Sequence, residues 1–82
     1  MAKETITVRV YTTSGGNPTN KEVSTLKELQ DIVKGYVEVV YDQNQVFVVN
    51  EDGLSLNLPR NPYFPHLVGN VVVADRGSEL LG

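Results

Sequence analysis

Apolar residues occupy every second position in Ile6, Val8 and Val10, with Thr5, Thr7, Arg9 and Tyr11 between them. That period predicts a strand with one buried face. Thr12 to Asn20 is turn-rich, with Gly15-Gly16-Asn17-Pro18 at its centre, and Lys21-Glu22-Val23 reads as a short second strand. The period then changes. Leu26, Leu29, Ile32 and Val33 recur at helical spacing, with Lys27, Glu28, Gln30 and Asp31 on the opposite face. Thr25 and Glu28 stand at capping-box spacing, with Ser24 as a rival N-cap. Lys34 falls in the last turn and Gly35 supplies the left-handed stop. So short a helix is marginal alone and needs a sheet to lean on.

Tyr36–Tyr41 and Val46–Val49 are rich in β-branched and aromatic residues, joined by the polar turn Asp42-Gln43-Asn44-Gln45. Asn50-Glu51-Asp52-Gly53 fits a type I turn with a glycine bulge, after which Leu54-Ser55-Leu56-Asn57-Leu58 alternates strictly and predicts a third meander strand. Register decides which residues share a face. With residue 41 opposite 46 and residue 50 opposite 54, Val37, Val39, Tyr41, Val46, Val48, Leu54, Leu56 and Leu58 form one core face for the helix to cover. The other face carries Tyr36, Glu38, Val40, Phe47, Val49, Ser55 and Asn57. It is half apolar, and one helix cannot cover both faces.

Pro59, Pro62 and Pro65 then exclude a regular strand or helix interior, while Tyr63, Phe64 and Leu67 give the segment something to pack with. It is the candidate within the chain for covering the second face. Val71-Val72-Val73-Ala74, unbroken in its apolarity, reads as a final strand buried on both sides. The sum is an α+β fold: one short helix on one face of a mixed or mostly antiparallel sheet of about five to six strands. The order is strand, strand, helix, three-strand meander, final strand, which resembles the β-grasp order of ubiquitin-type domains. Residues 1–75 form a single small domain and residues 76–82 a flexible C-terminal tail.

Composition narrows the functions. The 82 residues suffice for one small core. Net charge is −3 and the seven Lys and Arg residues are scattered, which argues against a nucleic-acid surface. With no cysteine there is no disulfide, thiolate nucleophile or zinc–thiolate site. No apolar run is long enough for a signal peptide or membrane span, so the expected compartment is the cytoplasm and no membrane partner is expected.

Catalytic signatures are missing. His66 is the lone histidine and lacks companions for a metal site or a nucleophile–base pair. Glu51 and Asp52 read as turn residues. Gly15-Gly16 opens no helix, unlike a phosphate loop. No catalytic residue, metal or cofactor is therefore assigned, and an enzyme is not expected. Two sets of candidates remain. Tyr36, Glu38, Val40, Phe47 and Val49 lie on the half-apolar face, where Glu38 is the only charge of its strand. Arg60, Asn61, Tyr63 and His66 combine polar and aromatic groups on a loop, a composition that suits binding.

The run from Leu26 to Val40, a short helix followed by Gly-Tyr-Val-Glu-Val-Val, resembles a small domain family of unknown function found in bacteria and bacteriophages. Val49 to Gly53, Leu58 to Asn61 and Val68 to Val73 match its later turn, Leu-Pro-x-Asn segment and final strand. The resemblance spans about residues 24 to 74 and includes Tyr36, Glu38, Asn50 and Asn61. It implies a phage or mobile-element origin and a role in the host cytoplasm, and it supplies no catalytic residues. The expected function is a non-enzymatic accessory factor that binds a host protein through the half-apolar face, or pairs with a second copy there as a homodimer. The alternative is a nucleotide-like small molecule held under the 59–70 segment.

Overall fold

The structure, a computed structural model, describes residues 5–42 and 44–75. The expected tail 76–82 lies outside the described residues. Five strands and one helix follow in the order β1 (Ile6–Tyr11), β2 (Thr19–Val23), α1 (Leu26–Val33), β3 (Val37–Tyr41), β4 (Gln45–Asn50) and β5 (Val71–Asp75). The sheet runs β2-β1-β5-β4-β3 with every pairing antiparallel. The α+β reading holds, and β5 lies between β1 and β4.

The parity argument for β3 and β4 also holds, because Tyr41 pairs with Val46 and Val39 with Val48. One register row crosses the helix-side face: Thr19, Val10, Val72, Val48, Val39. Leu29, Ile32 and Val33 of α1 pack on that face with Val8, Val23, Val46 and Ala74. The far face carries the row Asn20, Arg9, Val73, Phe47, Val40, polar at one end and apolar at the other. Because β5 is apolar on both faces, it is stable only in the interior of a sheet covered on both sides. Val72 and Ala74 join the helix-side core, and Val71 and Val73 join a second cluster with Val49.

That demand explains the one strand expected and not found. Leu54–Leu58 is not a strand. The edge of β4 that it would have occupied is taken by β5, through Val46–Ala74, Phe47–Val73 and Val48–Val72. Residues 51–57 instead wind into turns. Leu56 N–H donates to Asp52 O at 2.8 Å, Asn57 N–H to Leu54 O at 3.1 Å and Leu58 N–H to Gly53 O at 3.0 Å. With Asn57 at φ 60°, these last two bonds form a Schellman closure. The expected bulge, with residue 50 opposite 54, is absent because residues 51–57 are turn and offer no strand to oppose Asn50, although Gly53 N–H still donates to Asn50 O at 3.2 Å. Leu54 and Leu56, expected in the core, are 84% and 57% exposed.

The helix begins as its sequence predicts. Thr25 is the N-cap, its hydroxyl accepting from Glu28 N–H, while Glu28 Oε1 accepts from Thr25 N–H at 3.1 Å. Ser24 is not the cap, but its N–H and hydroxyl both donate to the same carboxylate oxygen at 2.9 Å. The far end differs from expectation. Lys34, not Gly35, takes the left-handed conformation, at φ 66° and ψ 44°. The glycine is needed for space: a Cβ on Gly35 would stand 2.8 Å from Asn50 Nδ2.

Candidate functional site

The proline-rich segment covers part of the second face, and the sequence shows how. Its prolines stop regular pairing, so the chain folds on itself. Asn61 N–H donates to Leu67 O at 2.9 Å, Gly69 N–H to Pro59 O at 2.8 Å, and Arg60 bridges Val68. The closed loop places Phe64 edge-on to Tyr11 at 4.9 Å and to Phe47 at 5.4 Å between ring centres. Phe64 and Leu67 thereby seal Val49, Val71 and Val73.

This cover divides the first candidate set. Val49 is buried and Phe47 half-buried beneath the loop. Tyr36, Glu38 and Val40 stay exposed, Tyr36 by 70%. All three stand on or next to β3, which ends the sheet.

The second candidate set separates too. Asn61 is fully buried, and its Nδ2 donates to Tyr11 O and Gly69 O at 3.0 Å each while Oδ1 accepts from Tyr63 N–H at 2.9 Å. Tyr63 stacks edge-on to Tyr11 and donates its hydroxyl to Gly16 O at 2.7 Å. Arg60 Nη1 donates to Pro65 O at 3.1 Å. These three tie the loop to the hairpin between β1 and β2, or to itself. The space expected under the segment is filled by Phe64 and Leu67. His66, which is exposed, lines a hollow. It does so with Glu38, Val49, Glu51, Leu54 and Leu67, around about 290 Å³. The structure thus brings together Glu38 and His66, which came from different candidate sets.

Two further asparagines have structural roles that the sequence did not assign: Asn50, which the resemblance included without a role, and Asn70. Asn50 Nδ2 donates to Val33 O at 3.0 Å and Lys34 O at 3.3 Å, covering carbonyls that the helix end leaves open. Its Oδ1 accepts from Asp52 N–H at 2.7 Å and shapes the turn after β4. Asn70 accepts from Thr13 N–H at 3.2 Å and donates to Ile32 O at 2.9 Å, joining hairpin, helix and β5 entry. The signal available was a single amide directly before or after a buried strand, where a loose backbone end needs both a donor and an acceptor.

The two sheet edges are chemically unlike. β2 reads Thr-Asn-Lys-Glu-Val and exposes its first four residues, a charged edge that resists further pairing. β3 reads Val-Glu-Val-Val-Tyr. Its backbone pairs with β4 at Tyr36–Glu51 and Asp42–Gln45, so by the antiparallel alternation Val37 and Val39 turn N–H and C=O outward. Among the described residues nothing bonds to these outward groups. Beside them stand the exposed Tyr36 and Val40. The hollow below has two carboxylates, Glu38 and Glu51, and no Lys or Arg in its lining.

A second hollow, of about 310 Å³, opens on the uncovered part of the same face, lined by Thr7, Arg9, Tyr11, Asn20, Gln45 and Val73. Arg9 makes no ion pair among the described residues, where Lys27–Asp31 on the helix surface is the ion pair present. No group of three or more His, Asp or Glu able to hold a metal occurs among the described residues. No helix there is long and apolar enough to cross a membrane.

The family model described as a domain of unknown function (DUF3846) matches the chain over residues 6–80. No curated protein matches the chain. No solved structure matches it.

Proposed function

For a chain that belongs to the DUF3846 family, we propose a non-enzymatic interaction module that takes an extended segment of another protein as an additional strand on β3. The carrying observation is the contrast between edges: β2 is blunted by Lys21 and Glu22, whereas β3 offers outward backbone at Val37 and Val39 flanked by exposed Tyr36 and Val40. In this reading main-chain hydrogen bonds supply affinity, and Tyr36, Glu38 and Val40 supply selectivity. Phe47 and Val49 contribute only as the buried support behind them. The resemblance to bacterial and phage domains adds the setting, an accessory factor acting on a host protein.

Val39→Pro tests it. Proline removes an outward N–H and leaves the β3–β4 ladder intact, which is the placement that edge strands tolerate. Tagged wild-type protein should retain from host lysate a partner that Val39→Pro loses, while both variants show the same circular dichroism. A partner held equally by both excludes the edge.

A second reading follows the hollow around Arg9. A guanidinium that makes no ion pair among the described residues, beside the amides of Asn20 and Gln45, suits an anionic, nucleotide-like molecule. A thermal-shift screen of nucleoside phosphates checks it, because a ligand of the native state raises the melting point. No rise with any nucleotide removes this reading.

A further inference from the structure

We infer that the segment added to β3 carries a lysine or arginine that enters the hollow at Glu38 and Glu51, within an otherwise apolar run. The inference rests on the strand-addition reading above and specifies the chemistry of the partner. On β3, Glu38 and Val40 point to the loop-covered side of the sheet, and Val37 and Val39 point to the helix side, where they pack half-buried against the core. An added strand continues the same pleat, so its successive residues alternate between those two sides. The residue beside Glu38 meets a hollow whose charged lining is Glu38 and Glu51. The residue two positions away meets Val40. The residues on the alternate side meet Val37 and Val39. Such a partner therefore reads as a basic residue flanked by apolar ones. A flexible lysine or arginine stem lies along Val49, Leu54 and Leu67 of the hollow while its charged end reaches the carboxylates.

A second copy of this chain fits the edge less well. An antiparallel two-fold centred on Val39 places Val40 beside Glu38 and Val37 beside Tyr41. The hollow then receives no counter-charge, and two chains of net charge −3 are brought together. Charge complementarity selects a different protein.

A peptide-display selection tests the inference. A library of random twelve-residue peptides is selected on the wild-type domain, and enriched peptides are measured against Val39→Pro and Glu38→Lys. Val37→Pro serves as the second edge variant, since the first residue of a strand also tolerates proline. The expected result is enrichment of Lys or Arg within apolar runs, binding lost in both proline variants, and affinity roughly tenfold weaker on Glu38→Lys. Selection on Glu38→Lys itself should replace the basic residue with Asp or Glu. Peptides that need the edge but show no basic preference, and bind Glu38→Lys equally well, overturn this inference and leave strand addition standing. Peptides indifferent to both proline changes, or no enrichment at all, overturn strand addition as well. A dimer in sedimentation that Val39→Pro dissolves assigns the edge to a second copy and overturns the inference.

Discussion

Asn61 separates a scaffold role from a ligand role. Replacing it with alanine deletes three side-chain hydrogen bonds, to Tyr11 O, Gly69 O and Tyr63 N–H, at a site with no solvent exposure. The carbonyl of Gly69, buried in the intact fold, loses its side-chain donor. At roughly 1 kcal/mol net for each bond, the change costs about 3 kcal/mol. Unfolding entropy scales with length, and for 82 residues it is about 0.17 kcal/mol/K near the midpoint. The melting midpoint should therefore fall by about 15–20 °C, in circular dichroism melts that remain two-state. Asn61→Asp sharpens the test. A carboxylate there faces two carbonyl oxygens in a buried site, so its folded-state pKa lies above the unfolded value. The folded form then binds more protons, and stability is present below the unfolded pKa of about 3.9 and lost as pH rises. Asn61→Asp should melt closer to wild type at pH 4 than at pH 7. A fall of less than about 5 °C in Asn61→Ala, or no pH dependence in Asn61→Asp, would refute the scaffold assignment and return Asn61 to the pool of binding residues.

Three further changes probe other elements. Lys34→Gly should stabilise the domain by about 0.5–1 kcal/mol, because it relieves a left-handed non-glycine residue at φ 66°; urea unfolding measures it as a higher midpoint at unchanged slope. Hydrogen bonds from the backbone and hydroxyl of Ser24 and from Thr25 hold the Glu28 carboxyl below the usual glutamate range, against a smaller opposing effect of desolvation. Its contribution is present above the unfolded value of about 4.3 and lost as pH falls through the lower folded value. Glu28→Gln should therefore be less stable than wild type at pH 6, and the two should converge near pH 3 in denaturant titrations. Leu54→Asn should shift stability by no more than about 0.5 kcal/mol, since the side chain is 84% exposed; a loss of several times that would restore a core role for the 54–58 segment.

Much of the fold is legible where the determinants are local. Thr25 and Glu28 fix the helix start three residues apart, and the polar run predicted between Tyr41 and Val46 is of the length that sets these two residues opposite each other in the β3–β4 register. The run 71–74 declares its burial on both sides by being apolar throughout. What cannot be read locally is competition. Leu54–Leu58 has a strand period, but β4 has only one remaining edge, and β5 brings apolar side chains on both faces to claim it. Gly35 looks like the helix stop until Asn50, distant in sequence, is found against the place where a Cβ would stand. The candidate site follows the same rule. Exposure of Tyr36, Glu38 and Val40 follows from β3 being the outer strand, a fact of strand order. Asn61 resembled a binding residue because a buried amide holding backbone and an exposed amide holding ligand are written with the same letter.

The strand order carries a consequence for how the molecule comes into being. The two central neighbours β1 and β5 are the first and last described strands, and their pairing joins Arg9 to Val73. The hairpins β1–β2 and β3–β4 can each form early from nearby residues, but each alone exposes an apolar face. Nothing closes the space between them until β5 arrives. Such long-range pairing slows folding relative to local helical contacts. The helix-side core is complete only with Val72 and Ala74 of β5 in place. A chain cut before Val71 loses far more than its last strand, because that strand is the piece that makes one sheet of two hairpins.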